Sequence, residues 1–116
     1  MIIAISTAIP LLAAGVLVLW TAYRAHRERL PMNFWIGIRT ASTLRSDEAW
    51  RAGHAAAAVP IAVGGIGLVV AAAAAVFATE DYAVYVAMAG CAWIVVWLII
   101  GSVGAGKAAN DSAEDE

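Results

Sequence analysis

The residues able to do chemistry in this chain crowd into one stretch. Between Asn33 and His54 lie the hydroxyls Thr40, Ser42, Thr43 and Ser46, the carboxylates Asp47 and Glu48, the guanidiniums of Arg39, Arg45 and Arg51, and one of the 2 histidines. Arg39 follows Phe34-Trp35-Ile36-Gly37-Ile38, so its stem is expected in an apolar interface and its guanidinium on a phosphate or a carboxylate. The plainer reading is a side chain that snorkels to lipid headgroups. Ser46 is a suitable helix N-cap, and Asp47 and Glu48 suit the positive end of the helix it would start. Asp47 and Arg51 are spaced for an i,i+4 ion pair, while Trp50 and His54 share the opposite face. If the loop folds back, His54 lies near Arg39, whose partners on that helix would be Asp47 or Glu48, with Trp50 stacked nearby.

Elsewhere the inventory is thin. His26 sits among arginines and Cys91 is alone, so no metal site is expected. Gly101-Ser102-Val103-Gly104-Ala105-Gly106-Lys107 lacks the spacing of a phosphate loop and reads as a frayed helix end. Catalysis or transport at membrane depth needs ionisable groups there, and the apolar segments supply none. The residues argue for binding rather than for an enzyme, with no catalytic residue and no cofactor.

The elements that must position this stretch are written in the hydropathy. Hydrophobic residues make up 63% of the 116 positions and charged ones 14%, against roughly 45–50% and 25% in soluble domains. Met1–Tyr23, Ala55–Thr79 and Tyr82–Gly106 carry no charge, and each exceeds the roughly 20 residues a helix needs to cross a bilayer. The first has no basic residue ahead of it and is longer than a signal-peptide core, so it reads as a retained anchor. All arginines fall between spans one and two, Lys107 follows span three, and Glu80-Asp81 joins spans two and three. This segregation predicts a cytoplasmic loop and C-terminus, with the N-terminus outside.

The expectation is an all-α membrane protein: a three-helix module over residues 1–106, with spans at about 1–23, 55–79 and 82–106. A motif-bearing cytoplasmic loop, 24–54, joins helices 1 and 2, and an acidic tail, 107–116, is expected to be disordered. A few arginines beside a span are explained by topology and anionic lipid, so the lipid bilayer and not nucleic acid is the partner they indicate.

Small residues suggest how the spans meet. Gly64, Gly65 and Gly67 on span two, and Ala83, Ala87 and Cys91 four apart on span three, would allow close helix packing. Pro60 is expected to kink span two. Trp20 and Tyr23, and Tyr82 and Tyr85, fit aromatic belts at the two interfaces. Trp93 and Trp97 share one face of span three, for packing or as a wall of a groove.

The pattern Asn33-x-x-x-Gly37-x-Arg39-Thr40-x-x-Thr43-Leu44-x-Ser46-x-Glu48-x-Trp50-x-x-x-His54 resembles the signature of the SdpI family of bacterial membrane proteins. The resemblance implies a multi-pass protein of the bacterial cell membrane whose three-helix module holds this loop in the cytoplasm. It also implies immunity to, or sensing of, a secreted antimicrobial peptide, with a peptide toxin or a regulatory protein as partner. Founding members carry further helices ahead of this module. The alternative is a small accessory or structural subunit of a larger membrane complex, held by the small-residue faces.

Overall fold

A computed structural model describes residues 2–33 and 35–114; the expectations for Met1, for Phe34 and for the last tail positions, Asp115 and Glu116, lie outside the described residues. Among these residues, three helices are long and apolar enough to cross a membrane. They are α1 (Ile2–His26), α2 (Asp47–Phe77) and α3 (Glu80–Glu114), with a short 3₁₀ turn at Thr43–Arg45 between α1 and α2. The chain is an all-α, multi-pass membrane protein. It runs up, down and up, and α2 is the middle element: α1 and α3 both pack along it and scarcely touch each other.

The glycines of α2 let this happen on two sides. A Cβ on Gly65 would come within 3.0 Å of Leu19 on α1, whereas a Cβ on Gly64 or Gly67 would collide with Ile94 or Trp93 on α3. In lipid such close approach supplies the dispersion contacts that hold helices together. On α3 the matching contact is Gly90, where a Cβ would lie 2.8 Å from Ala71. Ala83 is fully buried and Ala87 packs on the cluster around Leu68, but Cys91 is exposed. Cys91 is therefore not part of the intramolecular packing face. Trp93 lies over Gly67, and its indole N–H donates to the Val63 carbonyl at 2.9 Å.

The helices overrun the charge-free spans at the end that carries the loop. α1 continues to His26, α2 begins at Asp47 rather than Ala55, and α3 runs on to Glu114 rather than ending at Gly106. The connection between α2 and α3 is the pair Ala78-Thr79, and Glu80-Asp81 form the first turn of α3. The segment expected to be a frayed end and a disordered tail from Lys107 is helical as far as it is described. Its small residues explain the difference. Gly101 packs on Pro60 and Ala57, a Cβ on Gly53 would sit 3.0 Å from the Ala105 carbonyl, and Ala105 and Ala109 are fully buried. Arg45 then donates to Asn110 Oδ1 at 2.8 Å, which ties the loop to this extension. With 35 residues α3 is roughly 52 Å long at 1.5 Å per residue. That exceeds a hydrocarbon core of about 30 Å and leaves a folded layer outside it.

α1 ends in a paired-hydrogen-bond turn. Arg29 N donates to the Arg24 carbonyl at 2.8 Å and Glu28 N to the Ala25 carbonyl at 3.1 Å, with Glu28 at the left-handed position, φ 54°. Glycine is the residue that normally fills this place. Glu28→Gly should raise the stability of the detergent-solubilised protein by about 1 kcal/mol. A thermal or denaturant unfolding curve would check it, and a loss of stability would show that the carboxylate outweighs the strain.

Candidate functional site

The loop between α1 and α2 folds into a compact cap on the helix ends, and α2 organises it. Ser46 caps α2 by accepting the Ala49 N–H at 3.0 Å, so the helix starts in the loop and continues unbroken into the span. One turn later Trp50 is buried, and its indole N–H donates to the Leu30 carbonyl at 2.8 Å. This bond pins the chain leaving α1. Another turn on, His54 is 1% exposed and stacks on Trp50 with ring centroids 4.1 Å apart.

Both nitrogens of His54 are engaged. The Ile38 backbone N–H donates to Nε2 at 2.8 Å, which requires Nε2 to be the bare nitrogen. Nδ1 then carries the proton and donates to the Trp50 carbonyl at 2.8 Å. The ring is thus a neutral brace between loop and helix. It has no lone pair left for a metal or for proton transfer.

Gly37 makes the brace possible. Its φ is +117°, and a Cβ there would lie 2.6 Å from His54 Nε2 and 3.1 Å from the Trp50 ring. Only glycine satisfies both the backbone conformation and the space. On the N-terminal side, Asn33 Oδ1 accepts the N–H groups of Trp35 and Ile36 at 2.8 and 2.7 Å, closing a side-chain turn. On the C-terminal side, Thr43 is fully buried and donates its hydroxyl to the Ile38 carbonyl at 2.8 Å. Thr43 Oγ1 accepts the Thr40 N–H at 3.0 Å, and Thr40 Oγ1 accepts the Thr43 N–H at 3.2 Å.

Seven of the signature residues therefore act on the loop itself: Asn33, Gly37, Thr40, Thr43, Ser46, Trp50 and His54. Glu48 is exposed and stands outside this network. Arg39 is exposed too, but it lines a cleft of about 410 Å³ with Trp35, Leu17 of α1 and Leu98 of α3. Asp47 lines a different cleft, and Trp50 stacks on His54, so the expected meeting of Arg39 with the start of α2 is not what brings the loop and helix together. Sequence reasoning passed over the backbone partners, the Leu30 and Ile38 carbonyls and the Ile38 N–H. The contact of Gly53 with α3 had one available signal, the small residues Gly101, Ala105 and Ala109 four apart on α3.

Gly37→Ala should cost about 2–4 kcal/mol, because it combines a backbone strain with a clash against the brace. Gly104→Ala, where nothing lies within 4 Å of the new Cβ inside α3, should cost nothing. Unfolding midpoints in one detergent would compare the two, and equal midpoints would mean that the loop is not held by His54.

No curated protein and no solved structure matches this chain. The sequence does match the SdpI/YfhL protein family over residues 29–104, from the turn after α1 well into α3, and the chain belongs to that family.

Proposed function

We propose that this SdpI-like membrane protein works by binding rather than catalysis, giving immunity to or sensing a secreted antimicrobial peptide through its loop and the cleft beneath it. The observation that carries the reading is the division of labour in the loop. Seven signature residues hold the loop together, while Trp35, 90% exposed, and Arg39 line the cleft beside α1 and α3. An indole, a guanidinium and an apolar floor suit an amphipathic peptide segment. Such a segment belongs to a membrane-inserted toxin or to a regulatory protein. The segregation of arginines supports a loop on the cytoplasmic side.

Arg39→Lys keeps the charge and loses the planar fork, so it separates recognition from headgroup contact. Arg39→Lys is expected to abolish peptide protection or regulator binding at normal membrane abundance. Arg27→Lys, where the guanidinium lies only over Tyr23 at 5.9 Å, should behave as the parent. If both behave as the parent, the cleft is not the site; co-purification with a larger enzyme would favour an accessory subunit. Orientation has its own check: a cytoplasm-active reporter should give signal at the C-terminus and none at Ala78-Thr79, and the reverse pattern sinks the cytoplasmic loop.

A further inference from the structure

A second cleft, of about 510 Å³, opens at the loop end between the turn after α1 and the start of α2. Its charges are of both signs: Arg24, Arg29 and Arg51, with Glu28 and Asp47. The remaining wall is largely apolar and includes Leu30, Pro31 and Trp50. Among the described residues, Glu28, Asp47 and Arg51 form no side-chain hydrogen bond or ion pair, and Arg29 offers only its backbone, so the expected Asp47–Arg51 ion pair is not made. An exposed pair gains too little Coulomb energy to hold two long side chains together. Arg24 is the exception in being fixed. Its Nε and one terminal nitrogen donate to the Arg29 carbonyl at 3.1 and 2.8 Å, and its guanidinium lies 5.5 Å from the Trp20 ring centroid. Asp47 in the first turn of α2 brings the positive end of that helix to the same cleft.

Guanidiniums and a helix N-terminus favour a phosphate, to which arginine offers paired donors. The two carboxylates that also line the cleft, Glu28 and Asp47, disfavour a purely anionic ligand and favour one that also carries an ammonium. The apolar wall favours a group delivered from the bilayer edge.

We infer that this cleft binds a zwitterionic phosphoethanolamine group, with its phosphate on Arg24, Arg29 and Arg51 and its primary ammonium on Glu28 and Asp47. The site is separate from the Arg39 cleft and does not depend on the reading of that cleft. A primary ammonium donates hydrogen bonds to carboxylates, whereas a trimethylammonium cannot, so the site discriminates ethanolamine from choline headgroups. Two sources offer this chemistry, a membrane lipid and a free phosphate ester.

The test is retention by the full chain in mild detergent, read by native mass spectrometry. The probes are phosphatidylethanolamine, phosphatidylcholine and phosphatidylglycerol at equal concentration, and water-soluble glycerophosphoethanolamine. The ethanolamine probes should be retained over the others, and Arg29→Gln with Arg51→Gln should lower that retention roughly tenfold or more, since each arginine supplies charge-assisted hydrogen bonds. Glu28→Gln with Asp47→Asn should shift the preference from phosphatidylethanolamine to phosphatidylglycerol. Retention of the intact lipid assigns the site to the membrane surface, and retention of the soluble ester alone assigns it to a free ligand; either bears out the chemistry. Equal retention of the three lipids, a preference of the parent protein for phosphatidylglycerol, or indifference to the arginine substitutions at an unchanged unfolding midpoint overturns it.

Discussion

The loop rests on a single imidazole whose two nitrogens face opposite demands. His54 must accept the Ile38 N–H on one side and donate to the Trp50 carbonyl on the other, and only the neutral Nδ1–H tautomer does both. The rest of the cap follows from meeting that requirement. Gly37 is needed so that the chain can pass over the ring, Thr43 holds the Ile38 carbonyl whose residue supplies the donor, and Trp50 covers one face while fixing the exit from α1. A buried polar ring with one unmet partner would cost more than it contributes, and here every partner is met.

α2 is the frame for this arrangement. The same helix that carries Trp50 and His54, capped by Ser46, carries Gly64, Gly65 and Gly67 further along, so the cap and the packing of the spans share one continuous helix with Pro60 inside it. Between helices in lipid there is no hydrophobic drive of the kind that water provides. The bundle instead depends on backbone proximity along glycine and alanine positions, including the run Gly101, Ala105 and Ala109 that carries α3 beyond the membrane core.

Much of this was open to reading from the residues. Three charge-free stretches announce the spans because the bilayer permits little else. The start of α2 at Ser46, and Trp50 and His54 on one face, follow from capping and periodicity. The internal bonds of the loop do not, because they use backbone groups that every residue possesses. Cys91 illustrates a geometric failure of pattern reading. Steps of four residues drift by about 40° each on a helix of 3.6 residues per turn, so the comb from Ala83 to Cys91 rotates off the contact and Gly90 takes its place. The reach of α3 to Glu114 was hidden for another reason: Ala105 and Ala109 look unremarkable until Gly53 and the loop are laid against them.

The scarcity of contact between α1 and α3 bears on biogenesis. α1 leaves the ribosome ahead of α2 and so enters the bilayer before the helix it packs on, a state that lipid tolerates because its tails are as apolar as the helix surface. Insertion of α2 then ends two waits together. It offers α1 its groove, and it delivers His54 to the Ile38 amide 16 residues upstream, a bond that needs nothing from α3. α3 follows and settles along α2, and its Asn110 accepts the Arg45 hydrogen bond that ties it to the loop. The order of assembly is thus built into the topology, with the middle helix as the step on which the other two depend.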